Sequence, residues 1–207
     1  MQGDRTMGIW ERMPANFLDK LGEVFGCEPP RRHGWDVVDS IKAMQRGAAK
    51  ECFAMGGNFL SATPDTEFTA EALSGCNLAV HVSTKLDRAH FITGKQALIL
   101  PCLGRTDRDV QASGRQLVSV ENSMGVVHTS RRNLEPPSNE PAIVARLAVA
   151  TLGSGTKVDW MHLVKDDDRI RELSSPVYHP WHSRSVQTQF IVSTIATGAF
   201  FMAGASC

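Results

Sequence analysis

The run FAMGGNFLSATPDT at residues 53–66 constrains the fold more than any other part of the sequence, because an apolar stretch breaks there into two glycines and an asparagine. The pattern predicts a buried strand that ends in a tight loop, since glycine has no Cβ and accepts positive φ. In an open α/β sheet, ligands bind outside the carboxyl ends of the strands. Taken alone, however, such a loop is more often a plain strand-to-helix turn than a ligand site.

Short apolar strands alternate with amphipathic helices along the rest of the chain. Strands are predicted at 50–55, 78–82, 96–100 and, as an extended piece, 117–120, and helices at 15–25, 36–46, 64–73 and 140–152. This alternation predicts an α/β fold: a three-layer αβα domain with a mainly parallel sheet, similar to dinucleotide-binding domains. The run QALIL at 96–100 predicts a strand that is covered on both faces. Thr63 is the expected N-cap of the third helix, and Pro64 its first residue.

Composition and charge exclude several classes of protein. Hydrophobic residues make up 42% of the chain and charged residues 21%, which is typical of a chain with a packed core. The net charge of +0 offers no basic surface for nucleic acid. The N-terminal residues do not resemble a secretory signal, so a cytoplasmic location is expected. The uncharged segment 189–207 is nearly long enough to span a bilayer, but Ser, Thr and Gly interrupt it, so a membrane anchor is the less favoured alternative.

The five cysteines are widely spaced and form no CxxC pair, so the spacing typical of zinc and iron–sulfur sites is absent. Cys52 and Cys76 are expected to be core residues, whereas Cys102 could either line a ligand crevice or pack. His81 is expected to be buried and hydrogen-bonded within a strand, and His90 to cap the crossover that follows or contact a ligand. Neither histidine has a carboxylate at a fixed spacing, so no catalytic residue and no metal ligand is predicted.

Several longer motifs follow one another in a recognisable order. They are AMGGN (54–58), SATPDT (61–66), HVSTKL (81–86), ALILPCLGRT (97–106) and VENSMG (120–125). This succession resembles the molybdopterin-guanine-dinucleotide oxidoreductases, in their formate dehydrogenase alpha-subunit-like branch of the FdhF/YdeP type. The resemblance implies a molybdenum-containing oxidoreductase, and it covers residues 2–171 of the 207. It divides the chain into a cofactor-binding region at 1–172 and a divergent, poorly packed tail at 173–207.

Family members are several times longer, so the resemblance implies that this chain is a fragment that binds one half of the bis-molybdopterin guanine dinucleotide cofactor. The iron–sulfur cluster of the full-length family is not expected here. Nine residues are the expected cofactor contacts: Gly56, Gly57, Asn58, Asp65, Ser83, Thr84, Lys85, Glu121 and Asn122. The three at 56–58 would offer amides to phosphate or ribose, the three at 83–85 hydroxyls and an ammonium, and the last two would lie near the pterin.

Asp65, or alternatively Asp87, would accept hydrogen bonds from the edge of the guanine base. The alternative for each of these side chains is a capping, turn or surface role. The alternative for the whole chain is a stand-alone nucleotide-binding or interaction module without catalysis. If the chain is a cofactor-binding fragment, another chain is expected to supply the missing domains. The isolated chain is then not expected to carry out redox turnover.

Overall fold

A computed structural model of the protein describes residues 12–56, 58–104, 107, 110–115, 117–122, 126–131, 140–153 and 156–174. Two compact units divide this part of the chain. One unit contains the described residues of 34–104, and the other contains those of 12–33 together with those after 104. The predicted tail at 173–207, apart from its first two residues, and the apolar segment 189–207 lie outside the described residues.

Helices and strands alternate much as the sequence predicts. The helices are α1 (Ala15–Phe25), α2 (Val37–Gln45), α3 (Phe59–Ala62), α4 (Thr66–Ser74), α5 (Glu140–Leu152), α6 (Trp160–Leu163) and α7 (Asp167–Ser174). The strands are β1 (Glu51–Met55), β2 (Leu78–Ser83), β3 (Gln96–Pro101), β4 (Val110–Gln111), β5 (Gly114–Arg115), β6 (Leu117–Asn122) and β7 (Val126–Arg131). A 3₁₀ turn at Arg88–Phe91 connects β2 to β3.

The first unit is built on a three-stranded sheet in the order β1-β2-β3, with both pairs parallel. Its core joins Ile41 and Met44 of α2 to Leu73 of α4 and Ala79 of β2, and Cys52 packs against it. Because Cys52 lies opposite Ala79 in the ladder, the two side chains share one face of the sheet, and α2 and α4 cover that face. The α/β class with a parallel sheet is therefore confirmed, and the three-layer arrangement stays a prediction.

The prediction that QALIL is covered on both faces is wrong for these residues. Leu98 and Ile99 point to opposite faces of β3, yet they are 48% and 41% exposed. The apolar run predicted cover on both faces of the strand, but Leu98 and Ile99 are exposed, and β3 pairs only with β2 among the described strands. Periodicity shows that a strand is apolar, and it does not show where in the sheet the strand lies.

The start of α4 also differs from the prediction. The helix begins at Thr66, and its N-cap is Asp65, whose Oδ1 accepts the Phe68 N–H at 2.9 Å. Thr63 is buried instead, where its hydroxyl donates to the Leu60 carbonyl oxygen and lies 2.9 Å from the Thr69 hydroxyl. The sequence TPDT contains two candidate caps, Thr63 and Asp65, on either side of Pro64. Thr63 is buried and hydrogen-bonded elsewhere, and Asp65 caps the helix.

The second unit contains two small hairpins. β4 pairs antiparallel with β5, and β6 pairs antiparallel with β7, so the extended piece predicted at 117–120 is present but does not join the parallel sheet. The β4–β5 turn is held by buried Asp166, which accepts from the Ser113 amide and hydroxyl at 2.6 and 2.9 Å. Among the described residues, no helix is both long and apolar enough to cross a membrane.

Candidate functional site

The carboxyl ends of β1 and β2 lie side by side, which is where the sequence places the ligand. Met55 is opposite Val82, and the Gly56 N–H continues the ladder by donating to the Val82 carbonyl oxygen at 2.8 Å. Gly56 has φ +65°, a conformation that favours glycine, so the predicted positive φ in this loop is confirmed at Gly56. Its amide is used within the sheet, and Gly57 lies outside the described residues.

Asn58 and Asp65 are both helix N-caps. The Asn58 side-chain oxygen accepts the Ser61 N–H at 3.4 Å at the start of α3, and Asp65 caps α4 as described above. Both residues are exposed. The capping role that the sequence left open as the alternative is therefore present for each, and Oδ2 of the exposed Asp65 carboxylate remains a second acceptor.

A short polar turn follows β2. The Ser83 hydroxyl donates to the Lys85 carbonyl oxygen at 2.7 Å, which closes the turn on itself. Thr84 and Lys85 are exposed at this point, so a hydroxyl and an ammonium group project from the carboxyl end of β2. These are the groups that the sequence predicts for phosphate or ribose.

Asp87 and His90 form a reciprocal cap on the 3₁₀ turn. The Asp87 carboxylate accepts the Ala89 N–H at 2.8 Å, and its Oδ1 lies 2.9 Å from His90 Nδ1. His90 Nδ1 is also 3.0 Å from the Asp87 backbone nitrogen. The capping role predicted for His90 is confirmed, and the sequence missed its carboxylate partner because Asp87 reaches it only through the tight turn.

A cavity of about 10 Å³ lies beside these strand ends, which is close to the space that one water molecule needs. Its lining brings together His81, Asp87 and His90 with Gly56 and Ser83. The remaining lining residues are apolar: Ala54, Phe59, Leu60, Leu73, Val82 and Ala89. Cys102 is buried and does not line this cavity, which agrees with the packing alternative.

His81 differs from its prediction in one respect. It is buried as expected, but its Nε2 has no hydrogen-bond partner. Burial lowers the pKa of His81, the neighbouring His90 lowers it further, and Asp87 opposes the change. The imidazole is therefore favoured in its neutral form. The sequence signal that points to this pair is the HVSTKLDRAH spacing, in which a strand histidine and a turn histidine flank one tight connection.

Glu121 and Asn122 lie in the second unit, at the end of β6, where their backbones pair with Val127 and Val126. Their proposed contact with a pterin stays a prediction. Among the described residues, no group of three or more His, Cys, Asp or Glu side chains could hold a metal ion.

Comparison with curated proteins shows close relatives over most of the chain. An uncharacterized oxidoreductase of Mycobacterium bovis is 52% identical over 181 residues, which is 86% of this chain and 23% of the relative. Protein YdeP of Escherichia coli is 46% identical over 175 residues, 83% of this chain and 23% of that protein. The chain therefore spans about a quarter of the length of these relatives, and it is homologous to a segment of larger oxidoreductases.

A more distant relative extends the similarity to a named enzyme. A nitrate reductase of Klebsiella oxytoca is 31% identical over 150 residues, 70% of this chain and 16% of the enzyme. No protein-family model matches the chain. The relatives agree with the oxidoreductase class that the sequence motifs imply.

Proposed function

We propose that this chain binds one half of a bis-molybdopterin guanine dinucleotide cofactor, as the corresponding segment of a formate dehydrogenase-like, molybdenum-dependent oxidoreductase. The single observation that carries this proposal is the arrangement at the carboxyl ends of β1 and β2. A glycine-containing loop, an exposed hydroxyl–ammonium turn and a small cavity with some polar side chains in its lining converge there. Homology to larger oxidoreductases, among them a nitrate reductase, supports the same class of function.

The residues present fit the nucleotide part of such a cofactor. Lys85 is exposed and supplies a point charge for a phosphate, and the Thr84 hydroxyl beside it can donate to a phosphate or ribose oxygen. The exposed Asp65 carboxylate keeps Oδ2 for the guanine edge while Oδ1 caps α4. When bound, the cofactor supplies the two-electron chemistry, and these residues position it.

Titration of the purified chain with guanosine diphosphate tests this proposal. Replacing Lys85 or Asn58 with Ala should weaken binding by about 1–3 kcal/mol, the range for a lost charge-assisted or buried hydrogen bond. Lys42→Ala, which removes an exposed lysine from α2, is the charge-matched control and should leave the affinity unchanged. Because Asn58 also caps α3, its variant must be checked for folding by circular dichroism.

Absence of binding by a demonstrably folded chain, or unchanged affinity in both site variants, would reject the proposal. Metal and nucleotide analysis of the purified chain separates it from the alternative. Molybdenum together with guanosine supports the cofactor interpretation, whereas a free nucleotide alone supports a stand-alone binding module. The chain spans about a quarter of its relatives' length, so segments equivalent to the rest of a YdeP-like protein would complete the cofactor site on this proposal, and co-expression with those segments tests that step.

A further inference from the structure

The side of β3 that faces away from β2, which we call the outer edge of β3, carries open backbone groups. At either end of the strand, the Gln96 N–H donates to the Asn77 carbonyl oxygen at 2.9 Å and the Cys102 N–H donates to the Ser83 carbonyl oxygen at 3.1 Å. These two donors are an even number of residues apart, and the backbone groups of a strand point alternately to its two sides. The even-numbered residues of β3 therefore bond toward β2, and the odd-numbered ones face the outer edge.

The odd-numbered residues of β3 are Ala97, Ile99 and Pro101. Ala97 and Ile99 each direct an N–H and a C=O group to the outer edge, whereas Pro101 has no N–H, so the row of donors ends there. None of the described strands pairs with this edge. A row of unpaired backbone groups is a template for one more strand.

The side chains of β3 are apolar on both faces of the sheet and are not covered. Leu98 is 48% exposed, and Ile99, on the opposite face, is 41% exposed. No charged residue lies in 96–101, although natural edge strands commonly use charged side chains to avoid pairing with other chains. The other edge of the sheet differs, because β1 begins with exposed Glu51 and is half-buried over the rest of its length. β3 therefore combines the composition of an inner strand with the exposure of an edge strand.

Two observations select the polypeptide that would cover this edge. The matched stretch is 23% of each of the two relatives described above, so roughly three quarters of such a protein lies outside it. Both strand pairs in the sheet are parallel, and a further parallel strand needs a crossover connection of a dozen or more residues, which a longer protein can provide. A second copy of this chain, related by a two-fold axis, would instead pair β3 with itself in the antiparallel direction.

We propose that the outer edge of β3 is a docking site for a β-strand from the segments equivalent to the rest of a YdeP-like oxidoreductase. The added strand runs parallel to β3 and pairs with the backbone of Ala97 and Ile99. The segments that carry it also bring apolar cover to Leu98 and Ile99, since parallel sheets are buried on both faces. This inference rests on the part of the proposed function that makes the chain a segment of a larger oxidoreductase, and it does not depend on the cofactor.

Hydrogen–deuterium exchange tests the docking site in a protein that contains all the segments. Mass spectrometry with electron-transfer fragmentation compares the isolated chain with full-length YdeP of Escherichia coli over the stretch aligned with 96–101. In the isolated chain, the Ala97 and Ile99 amides should exchange fast. The Leu98 and Leu100 amides bond toward β2 and should exchange slowly.

In full-length YdeP, the amides aligned with Ala97 and Ile99 should exchange about a hundredfold more slowly than in the isolated chain. Exchange there as fast as in the isolated chain would overturn the proposal. This comparison decides the question without any reassembly from separate segments.

Substitution of an exposed side chain tests the apolar cover. The whole chain is co-expressed with the YdeP segments that lie before and after the matched stretch, and the amount of these segments that co-purifies is measured. Ile99→Lys should reduce it about tenfold or more, because a charge would enter the covered face. Val38→Lys is the matched control, since Val38 is also β-branched, lies on α2 of the same unit and is 56% exposed; its capture should be unchanged. Undiminished capture by Ile99→Lys would refute the apolar cover.

Two further measurements separate this proposal from its neighbours. If light scattering shows that the isolated chain dimerises, and dimerisation slows exchange at Ala97 and Ile99, a second copy is the occupant and the proposal is wrong. Guanosine diphosphate binding is independent of the docking site. A chain that binds the nucleotide while the β3 amides stay fast in full-length YdeP loses only the docking site, and slow β3 amides without nucleotide binding reject only the cofactor function.

Discussion

At the scale of single residues, buried His81 ties the stability of the first unit to pH. Burial, followed by the nearby His90, lowers the pKa of His81 below its ordinary value of 6.5. As the pH falls below about 6.5, the unfolded chain therefore takes up a proton that the folded chain resists, and the free energy of unfolding decreases. Urea unfolding at pH 7.5 and 5.5 should show a lower midpoint at the lower pH.

The variant His81→Gln should reduce this loss of stability, because it removes the group that titrates. His33→Gln changes an exposed histidine and is the matched control, for which the full loss should remain. An equal dependence on pH in His81→Gln and in the unmodified chain would show that other groups cause the effect.

Asp166 is the second residue with a testable role. Burial alone would raise the pKa of Asp166, but hydrogen bonds from the Asp168 amide and from Ser113 outweigh that effect and hold the pKa below its usual value. In Asp166→Asn, one carboxylate oxygen becomes an N–H₂ group, which can no longer accept a hydrogen bond from Ser113 or from the Asp168 amide. The variant should therefore lower the free energy of unfolding by about 1–3 kcal/mol. Chemical denaturation measures this, with exposed Glu172→Gln as the control. No loss of stability would show that the β4–β5 turn does not depend on this carboxylate.

Residue types at the site were largely predictable, and their partners were not. The sequence placed Gly56, Ser83 and Lys85 at strand ends because strand-then-glycine and strand-then-hydroxyl patterns are local. The Gly56 amide, however, is used by Val82, a residue 26 positions away in the sequence, through the parallel register. The unpaired Nε2 atoms of His81 and His90 likewise arise from packing, which no local pattern records.

At the scale of elements, the start of α4 offers a direct test of which residue caps the helix. Asp65→Ala removes the acceptor for the Phe68 N–H and should destabilise the protein by about 1 kcal/mol. Pro64→Ala should have a much smaller effect, since Pro64 is exposed and precedes the cap. Thermal or urea unfolding of both variants decides the question. A larger loss of stability in Pro64→Ala than in Asp65→Ala would instead support the predicted helix start, with Pro64 as the first helical residue.

Amphipathic helices were the most predictable elements. The bounds of α1 and α5 match the predicted ranges, because apolar spacing and a glycine or proline boundary agree at each. The environment of β3 was not predictable, since an apolar strand reads the same at the centre and at the edge of a sheet. The same reasoning explains β6, whose extended sequence did not reveal its antiparallel partner β7.

At the scale of the whole molecule, the order of elements along the chain does not show which of them pack together. Alternating strands and helices predicted the parallel sheet correctly, because a crossover helix favours parallel pairing. The grouping of α1 with elements after residue 104 depends on contacts between distant segments. The boundary predicted after residue 172 stays a prediction, and within the described residues α7 continues to Ser174.

Limited proteolysis tests that boundary together with the proposed function. The sequence after the KDDDRIREL stretch changes in composition, so cleavage should begin beyond residue 174 and leave a shorter, stable chain. Gly56, Asn58, Asp65 and Lys85 all lie well before that point, so the trimmed chain should bind guanosine diphosphate within about twofold of the intact chain. Mass spectrometry locates the cuts, and calorimetry measures the affinity. First cuts inside 51–101 would contradict the boundary, and lost affinity after trimming would place part of the site in the tail.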